Sequence, residues 1–368
     1  MALRAASSGK SEYNVRRYHH SDRTAILELY ETVTGSDGAH WLSWKYEDNP
    51  YVDHVSMVVA TTADRVVAAM PAVAFRLHVG DQEKLALQPT DTMVHPKHRH
   101  RDLLDLLADH LRRVYADREP ALFFDVLGDS DRPIPADGWK QVERLQTAYR
   151  IRHPSLLLDE DARRAARITA RAFGSLQRFS HRLRDCSPDW TVTRSNHVPT
   201  RTLTGLARDH RPSGIHAVRD PRYLAWRFEN PSWSYTTYLT GDDESRAALI
   251  AGERHVAGQH VVALTDVYPP AAEKRATAIE QLVRAVVADN SRADTILADE
   301  TVLPRRIRRR TGFRCDSRWP LSWFGSPSTL VTAPASGPDP EPADWQVAGL
   351  DISDPDNWHL SFAERSCW

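Results

Sequence analysis

Apolar positions along the chain fall into strand and helix rhythms whose order is written twice. "YNVRRY" alternates as a short strand from Tyr13. "HSDRTAILELYETV" places Ile26, Leu29, Tyr30 and Val33 at helical spacing behind a Ser21 or Asp22 cap. "WLSWKYEDNP", Trp41 to Pro50, reads as a short helix stopped by its proline. "HVSMVVATTADRVVAAMPAVAFRLHVG" predicts two strands around a Thr-Ala-Asp turn, and "KLALQPTDTMVHP" a third. "RDLLDLLADHLRRVYADR" predicts an amphipathic helix, with Leu103, Leu104, Leu107, Leu111, Val114 and Tyr115 on one face. "ALFFDVLG" is a buried strand, and "GWKQVERLQTAYRI" closes the run in strand character.

The second half repeats the order. "YLAWRFENP", Tyr223 to Pro231, matches the Trp41 string with one residue fewer. Strands "WSYTTYLT" and "SRAALIAGERH", strand "VVALTDVYP", helix "AAEKRATAIEQLVRAVVADN", strand "ADTILAD" and helix "TVLPRRIRRRTGFRC" follow. "TDVYP" answers "TDTMVHP" in its Thr-Asp, valine and proline. The pattern therefore predicts a duplicated unit, with the Trp string holding each unit's core. Expected bounds are a frayed tail at 1–12, a first unit at 13–158, a helical connection at 159–212, a second unit at 213–325, and a Pro-rich tail at 326–368 docking as strands on the second unit.

The 368 residues suit two domains, and 41% hydrophobic content suffices for two cores. Apolar runs are too short to cross a bilayer, and the N-terminus lacks the apolar core of a signal peptide. Forty-eight basic against forty-nine acidic residues give no field to collect nucleic acid or anionic lipid. The basic run Arg305–Arg310 reads as a solvated helix face. Cys186, Cys315 and Cys367 are scattered, and the histidines of "YHH" and "HPKHRH" lack ligand spacing, so no metal site is expected. A reduced cytoplasmic setting is the default.

The candidate chemistry lies at "TDTMVHPKHRHRDLLDLL". A strand ends at Val94, Pro96 blocks its continuation, and basic residues precede a helix whose first turn exposes unpaired amides, a binding place for a pyrophosphate. Strand, Val-x-Pro-x-x-Arg, short loop and amphipathic helix resemble the acyl-CoA motif of the GNAT superfamily of N-acetyltransferases, over 13–150 and more weakly over 214–325. The paired Trp strings are similar to those of GNAT proteins built as tandem halves. The resemblance implies an α/β fold of α+β type: two GNAT-like units, each a mixed, mostly antiparallel sheet flanked by helices, the second degenerate.

It also implies roles. Met93 and Val94 would pair through their main chain with the pantetheine arm of acetyl-CoA, the co-substrate. Arg99, His100, Arg101, Asp102, Leu103 and Leu104 would form the phosphate loop. Asp102 and Leu104 stand where the family has small residues, and His100 where a glycine often follows the arginine; these departures limit close backbone approach. The tyrosine acid of many GNATs is replaced by Ile134 in the first unit and Arg308 in the second, and "VYPPAAEKR" carries no phosphate loop. Candidate bases are Asp91 and Asp125, each also explicable as a bonded structural carboxylate. Trp41, Trp44 and Tyr46 sit on the acceptor side, where aromatic walls suit an apolar or sugar-like acceptor.

The expectation is an acyl-CoA-dependent N-acyltransferase acting on an amine of a small molecule or protein, with no nucleic-acid or membrane partner. Internal pairing of two units removes one reason to dimerise, so a monomer is expected. The alternative is a catalytically inactive tandem GNAT-like protein that binds a ligand or partner. A distant third, aminoacyl transfer from charged tRNA, conflicts with the weak basic surface.

Overall fold

The structure, a computed structural model, describes residues 13–365 except 64, 100, 117–118, 129–137, 153–190, 242–245, 257, 271–274, 301, 319–320, 322–327 and 338, and only the backbone of Arg101 and Asp102. Ile134, Cys186, Cys367, His100 and most of the expected helical connection lie outside the described residues.

The first half opens with β1 (Asn14–Arg17) and α1 (Arg23–Thr34), which ends at Gly35 in the left-handed conformation. Helix α2 (Ala39–Leu42) runs into a π-helical turn at Ser43–Glu47. Strands β2 (Met57–Thr62), β3 (Arg65–Val79), β4 (Gln82–Pro89) and β5 (Met93–Val94) precede α3 (Arg101–Tyr115), β6 (Leu122–Leu127), β7 (Lys140–Leu145) and β8 (Thr147–Ile151). The second half carries β9 (Val192–Ser195), α4 (Thr200–Asp209), β10 (Ile215–Ala217), α5 (Pro221–Arg227), β11 (Ser234–Thr240), β12 (Ala247–Val256), β13 (Gln259–Tyr268), α6 (Ala276–Asp289), β14 (Thr295–Asp299), α7 (Arg305–Thr311) and β15 (Arg314–Cys315). Strand β16 (Ser328–Pro334) and a small hairpin of β17 (Gln346–Val347) and β18 (Leu350–Asp351) complete it.

Two mixed sheets result. The first runs β1-β2-β3-β4-β6-β16-β7, and the second β15-β8-β14-β13-β12-β11-β9. Along each order the pairs are antiparallel except one, β4 with β6 and β13 with β14, and a helix crosses over between the members of each parallel pair. Helix α3 lays Leu103, Leu107 and Leu111 against Ala72, Leu87 and Phe123; α6 lays Ile279, Leu282 and Val286 against Leu249, Leu264 and Ile296. Each such side chain, fully removed from water, contributes roughly 1.5–3 kcal/mol.

The halves are interlocked, which corrects the expected bounds. β16, from the tail, does not join the second sheet but lies between β6 and β7 of the first, for example Val331 opposite Asp125. β8, from the first half, pairs with β14 and β15 of the second. β10 extends the first sheet beside β3, while β9, placed in the connection by sequence, is the second sheet's edge strand. The tail's far end does reach the second sheet: Phe362 packs on Trp233, Ala263 and Leu297. Of Arg305–Arg310, Arg308 is buried against Glu300 and Cys315, and Arg310 pairs with Glu280; the run is not wholly a solvated face. Among the described residues no helix is long and apolar enough to cross a membrane, and no group of three or more His, Cys, Asp or Glu side chains could hold a metal ion.

Candidate active site

The one-residue difference between the Trp strings has a structural counterpart. In the first, Ser43–Glu47 is π-helical, closed by a bond from the Asp48 N–H to the Ser43 carbonyl. A π turn is how a helix absorbs one extra residue, and the second string forms α5 without one. Ser43 and Arg23 both hydrogen-bond Glu47, tying the turn to α1. Helix α2 and the wide turn together aim three donors at one atom: Trp41 Nε1, Lys45 Nζ and the Tyr46 hydroxyl all donate to Oδ2 of Asp91, at 2.8, 2.7 and 2.8 Å.

Asp91 sits in left-handed backbone, φ 50°, two residues after the end of β4. Burial alone would raise its carboxyl pKa, but the Lys45 charge and the bonds from Lys45, Trp41 and Tyr46 hold it below the usual carboxylate range. Tyr46 is pushed well above the usual phenol range, by burial first and then by the charges of Asp91 and Asp125, so it stays protonated and donates. Asp91 is therefore ionised at neutral pH, with Oδ2 saturated. Its Oδ1 accepts only from the Thr90 hydroxyl, at 3.3 Å, among the described residues.

The strings also meet each other. Trp44 Nε1 donates to the Trp226 carbonyl at 2.8 Å, and Trp226 Nε1 donates to the Trp44 carbonyl at 2.7 Å. The two rings stack 6.0 Å apart at 19°. Residue i bonding j while j bonds i is the signature of an isologous contact, here inside one chain. Trp226 also packs edge-on against Phe75 of β3. The expectation that each Trp fills its own unit's core is thus corrected: they fasten the two halves together. The equivalent prolines are preceded by Asn49 and Asn230, whose side-chain oxygens cap the amides two residues on in the same way.

A cavity of about 280 Å³ opens beside this contact. Tyr30, Val33, Thr34, Trp41, Trp44, Lys45, Asp91, Thr92 and Met93 line it from the first half, and Asn230, Ser232, Trp233 and Arg254 from the second. Tyr30 stacks on Trp41 at 4.3 Å, and the Arg254 guanidinium lies 4.4 Å over the Trp233 ring. Of the acceptor-side residues expected from sequence, Trp41 and Trp44 line the cavity; Tyr46 lies behind it, bonded to Asp91. Asp125 is buried on β6, its Oδ1 accepting from the Val126 N–H at 2.8 Å, and does not line it.

Met93 borders both this cavity and the edge expected to take the cofactor arm. β4 and β6 pair only at Ala86–Leu122 and Leu87–Phe123, then part, so the strand edge that runs on toward Met93 and Val94 is not taken up by β6. β5 is held on its other side by Ala68 and Ala69 of β3. His95 to His98 form a short turn: His95 caps the Lys97 N–H, and Tyr13 bonds His98 at 3.0 Å. Arg99 is exposed at the end of that turn, ahead of α3. Leu103 is buried in the α3 core and Leu104 half-buried, so neither side chain is available to a phosphate. Parting strands, exposed arginine and helix N-terminus fit an extended acyl-CoA arm; the Leu side chain at 104 leaves less room than a glycine loop.

The matching place in the second half is filled by its own chain. β13 and β14 pair from Val261–Thr295 to Leu264–Ala298, then part. Arg219 bonds Asp266 at 2.9 and 3.0 Å and Glu364 at 2.9 Å, and Arg365 pairs with Asp299. Tyr223 and Arg227 donate to the Ala363 carbonyl, at 3.1 and 2.6 Å. Residues 361–365 are wedged where the strands separate, and Gln88 of β4 bonds the Glu364 carbonyl from the other sheet. Sequence reasoning missed Lys45, Thr92 and the lining from the second half. Lys45, four residues after Trp41 in a helical string, was the one carrying a signal.

Residues 14–124 match the family model of the acetyltransferase (GNAT) domain. The fold of the chain is similar to that of N-acyltransferases of known structure. Similar solved structures include a GCN5-related N-acetyltransferase from Anabaena variabilis ATCC 29413 (TM-score 0.56, 11% identity, 86% of this chain and 72% of that one). A GCN5-related N-acetyltransferase from Kribbella flavida gives TM-score 0.53 at 14% identity, over 86% and 70% of the two chains. Saccharomyces cerevisiae N-myristoyltransferase with bound myristoyl-CoA gives TM-score 0.55 at 12% identity, over 99% and 86%. No curated protein matches the chain.

Proposed function

We propose that this chain is an acyl-CoA-dependent N-acyltransferase, built as a tandem of two GNAT-type units of which only the first uses its acyl-CoA edge. The observation that carries the reading is the cavity bounded by Asp91, Thr92 and Met93, next to a strand edge that parts from its parallel neighbour. An acyl thioester lying along that edge would present its carbonyl to an amine held in the cavity. The amine nitrogen bonds to the acyl carbon and the carbon–sulfur bond breaks. Of the two protons shed by the ammonium, one goes to the thiolate and the other to solvent. Asp91 orients the amine; with its pKa lowered and Oδ2 saturated, it is a weak base. Arg99 and the amides of α3 would meet the pyrophosphate. The thioester relevant to this proposal is acetyl-CoA, and the enzyme a cytoplasmic monomer.

Calorimetric titration with acetyl-CoA tests it. Micromolar binding, weakened at least tenfold by Arg99→Ala, supports the reading; no binding at millimolar acetyl-CoA refutes it. That second result would leave a ligand-binding tandem without catalysis, a reading favoured by the leucine at position 104 in place of a small residue.

A further inference from the structure

The two halves hold an equivalent carboxylate in opposite ways, and the inference drawn from this rests on the proposed transferase reading. Asp91 and Asp266 are the aspartates of "TDTMVHP" and "TDVYP", and Lys45 and Arg227 hold the same place in the two Trp strings. In the second half both oxygens of Asp266 are consumed. Arg219 takes Oδ2 and Oδ1 as a fork, the Tyr268 hydroxyl adds a bond to Oδ2, and the Val267 N–H adds one to Oδ1. That residue is 1% exposed and can meet nothing else. Arg227 turns instead to the Ala363 carbonyl. In the first half Lys45, Trp41 and Tyr46 all converge on Oδ2, and the Asp91 side chain stays 27% exposed at the cavity it lines. An ammonium is a point donor that satisfies one oxygen, whereas a guanidinium fork matches both. The Lys45 side chain is itself only 6% exposed, so it acts on an occupant of the cavity through Asp91.

We infer that Lys45 is a positioning residue for the transfer: its single-oxygen grip orients Asp91 so that Oδ1 is left to accept an N–H of the incoming amine. A fork in its place would make Asp91 the closed, structural carboxylate that Asp266 already is. The Lys45 charge also keeps Asp91 ionised. The other charged or titrating groups around this carboxylate are Tyr46 from the π turn, Tyr30 from α1 and, across the cavity, Arg254 from β12, with Asp125 of β6 acting on Tyr46.

The test is amine-dependent release of free thiol from acetyl-CoA by the full chain, using the fastest of a panel of primary amines (n-butylamine, benzylamine, glucosamine and spermidine). Lys45→Arg keeps the charge and offers the fork. It is expected to keep the native circular dichroism and melting temperature, yet to lose at least tenfold in kcat/KM for the amine. Lys45→Met removes the charge instead. Its deficit against the native chain is expected to grow at least threefold between about pH 8 and about pH 5.5, as Asp91 takes up a proton; protonation of the amine itself cancels in that ratio. Native activity in Lys45→Arg, or a deficit in Lys45→Met that does not change with pH, overturns the assignment, because Lys45 would then serve the fold alone. No amine-dependent release from the native chain with any member of the panel defeats the transferase reading itself, and this role with it.

Discussion

Acid should unfold this protein through one imidazole in particular. His216 lies on β10 opposite His78 of β3, is 2% exposed, and its Nδ1 has no hydrogen-bond partner among the described residues. Burial, then the charges of Arg219, His78, His359 and Arg211, push its pKa from 6.5 down to about 2. The unfolded chain therefore takes up this proton near pH 6.5 while the folded chain refuses it. Stability is full above 6.5 and is lost as pH falls below it. Between pH 7.5 and pH 5.0 the two protonation curves separate by about 2 kcal/mol, with His78 and His359, also lowered by burial, adding to the loss. The assay is urea unfolding of the native sequence and of His216→Phe, which keeps the ring volume and removes the titrating group, at both pH values. The native chain should lose about 2 kcal/mol more than the variant over that interval. Equal losses in both would refute the reasoning, because the imidazole would then be reaching solvent or a proton-accepting partner.

Trp44→Phe and Trp226→Phe should each cost about 1–2 kcal/mol in urea unfolding, and in combination less than their sum by about 0.5–1 kcal/mol, since the two reciprocal bonds belong to one contact. Arg219→Met should cost about 3–5 kcal/mol in the same assay, because Asp266 and Glu364 would stay buried without their cation. Lys45→Met should shift the acid limb of a thermal-melt-against-pH curve upward. Asp91's lowered pKa contributes stability above the unfolded value of 3.8 that is lost as pH falls through the folded one, and without Lys45 that fall begins sooner.

Much of the local architecture could be read from residue order. The face of α3 and the strand–helix–strand order in each half follow from periodicities of two and 3.6, which are local, and the repeated Trp string is visible by direct comparison; that β4 with β6 and β13 with β14 are the parallel pairs came from the structure. The extra residue in the first string was visible as a count, although nothing in it named a π turn. Strand exchange was illegible for a definite reason. β8 and β16 are short strands, β16 buried along most of its length, and a short strand's side-chain pattern specifies its faces, not which sheet supplies its neighbours. Asp91 and Asp125 were equivalent in sequence, each a carboxylate on a strand expected to flank the acyl group. They separate only once the chain turns left-handed at Asp91 and carries it to the cavity, where Lys45, 46 residues earlier, meets it. The second half lacks a phosphate loop in its sequence, but the wedge of residues 361–365 depends on contacts too remote to infer.

The traded strands also govern how the molecule can be made. Translation delivers β6 and β7 first, yet the strand that fills the slot between them emerges only at Ser328–Pro334. At roughly 5–20 residues per second, the nascent polypeptide carries that open slot for on the order of 10–40 s. β8 waits in the same fashion for β14. A ribosome cannot hand over a finished amino-terminal half, and expression of either half alone should give a sticky, chaperone-bound product, with maturation set by the arrival of the last strand.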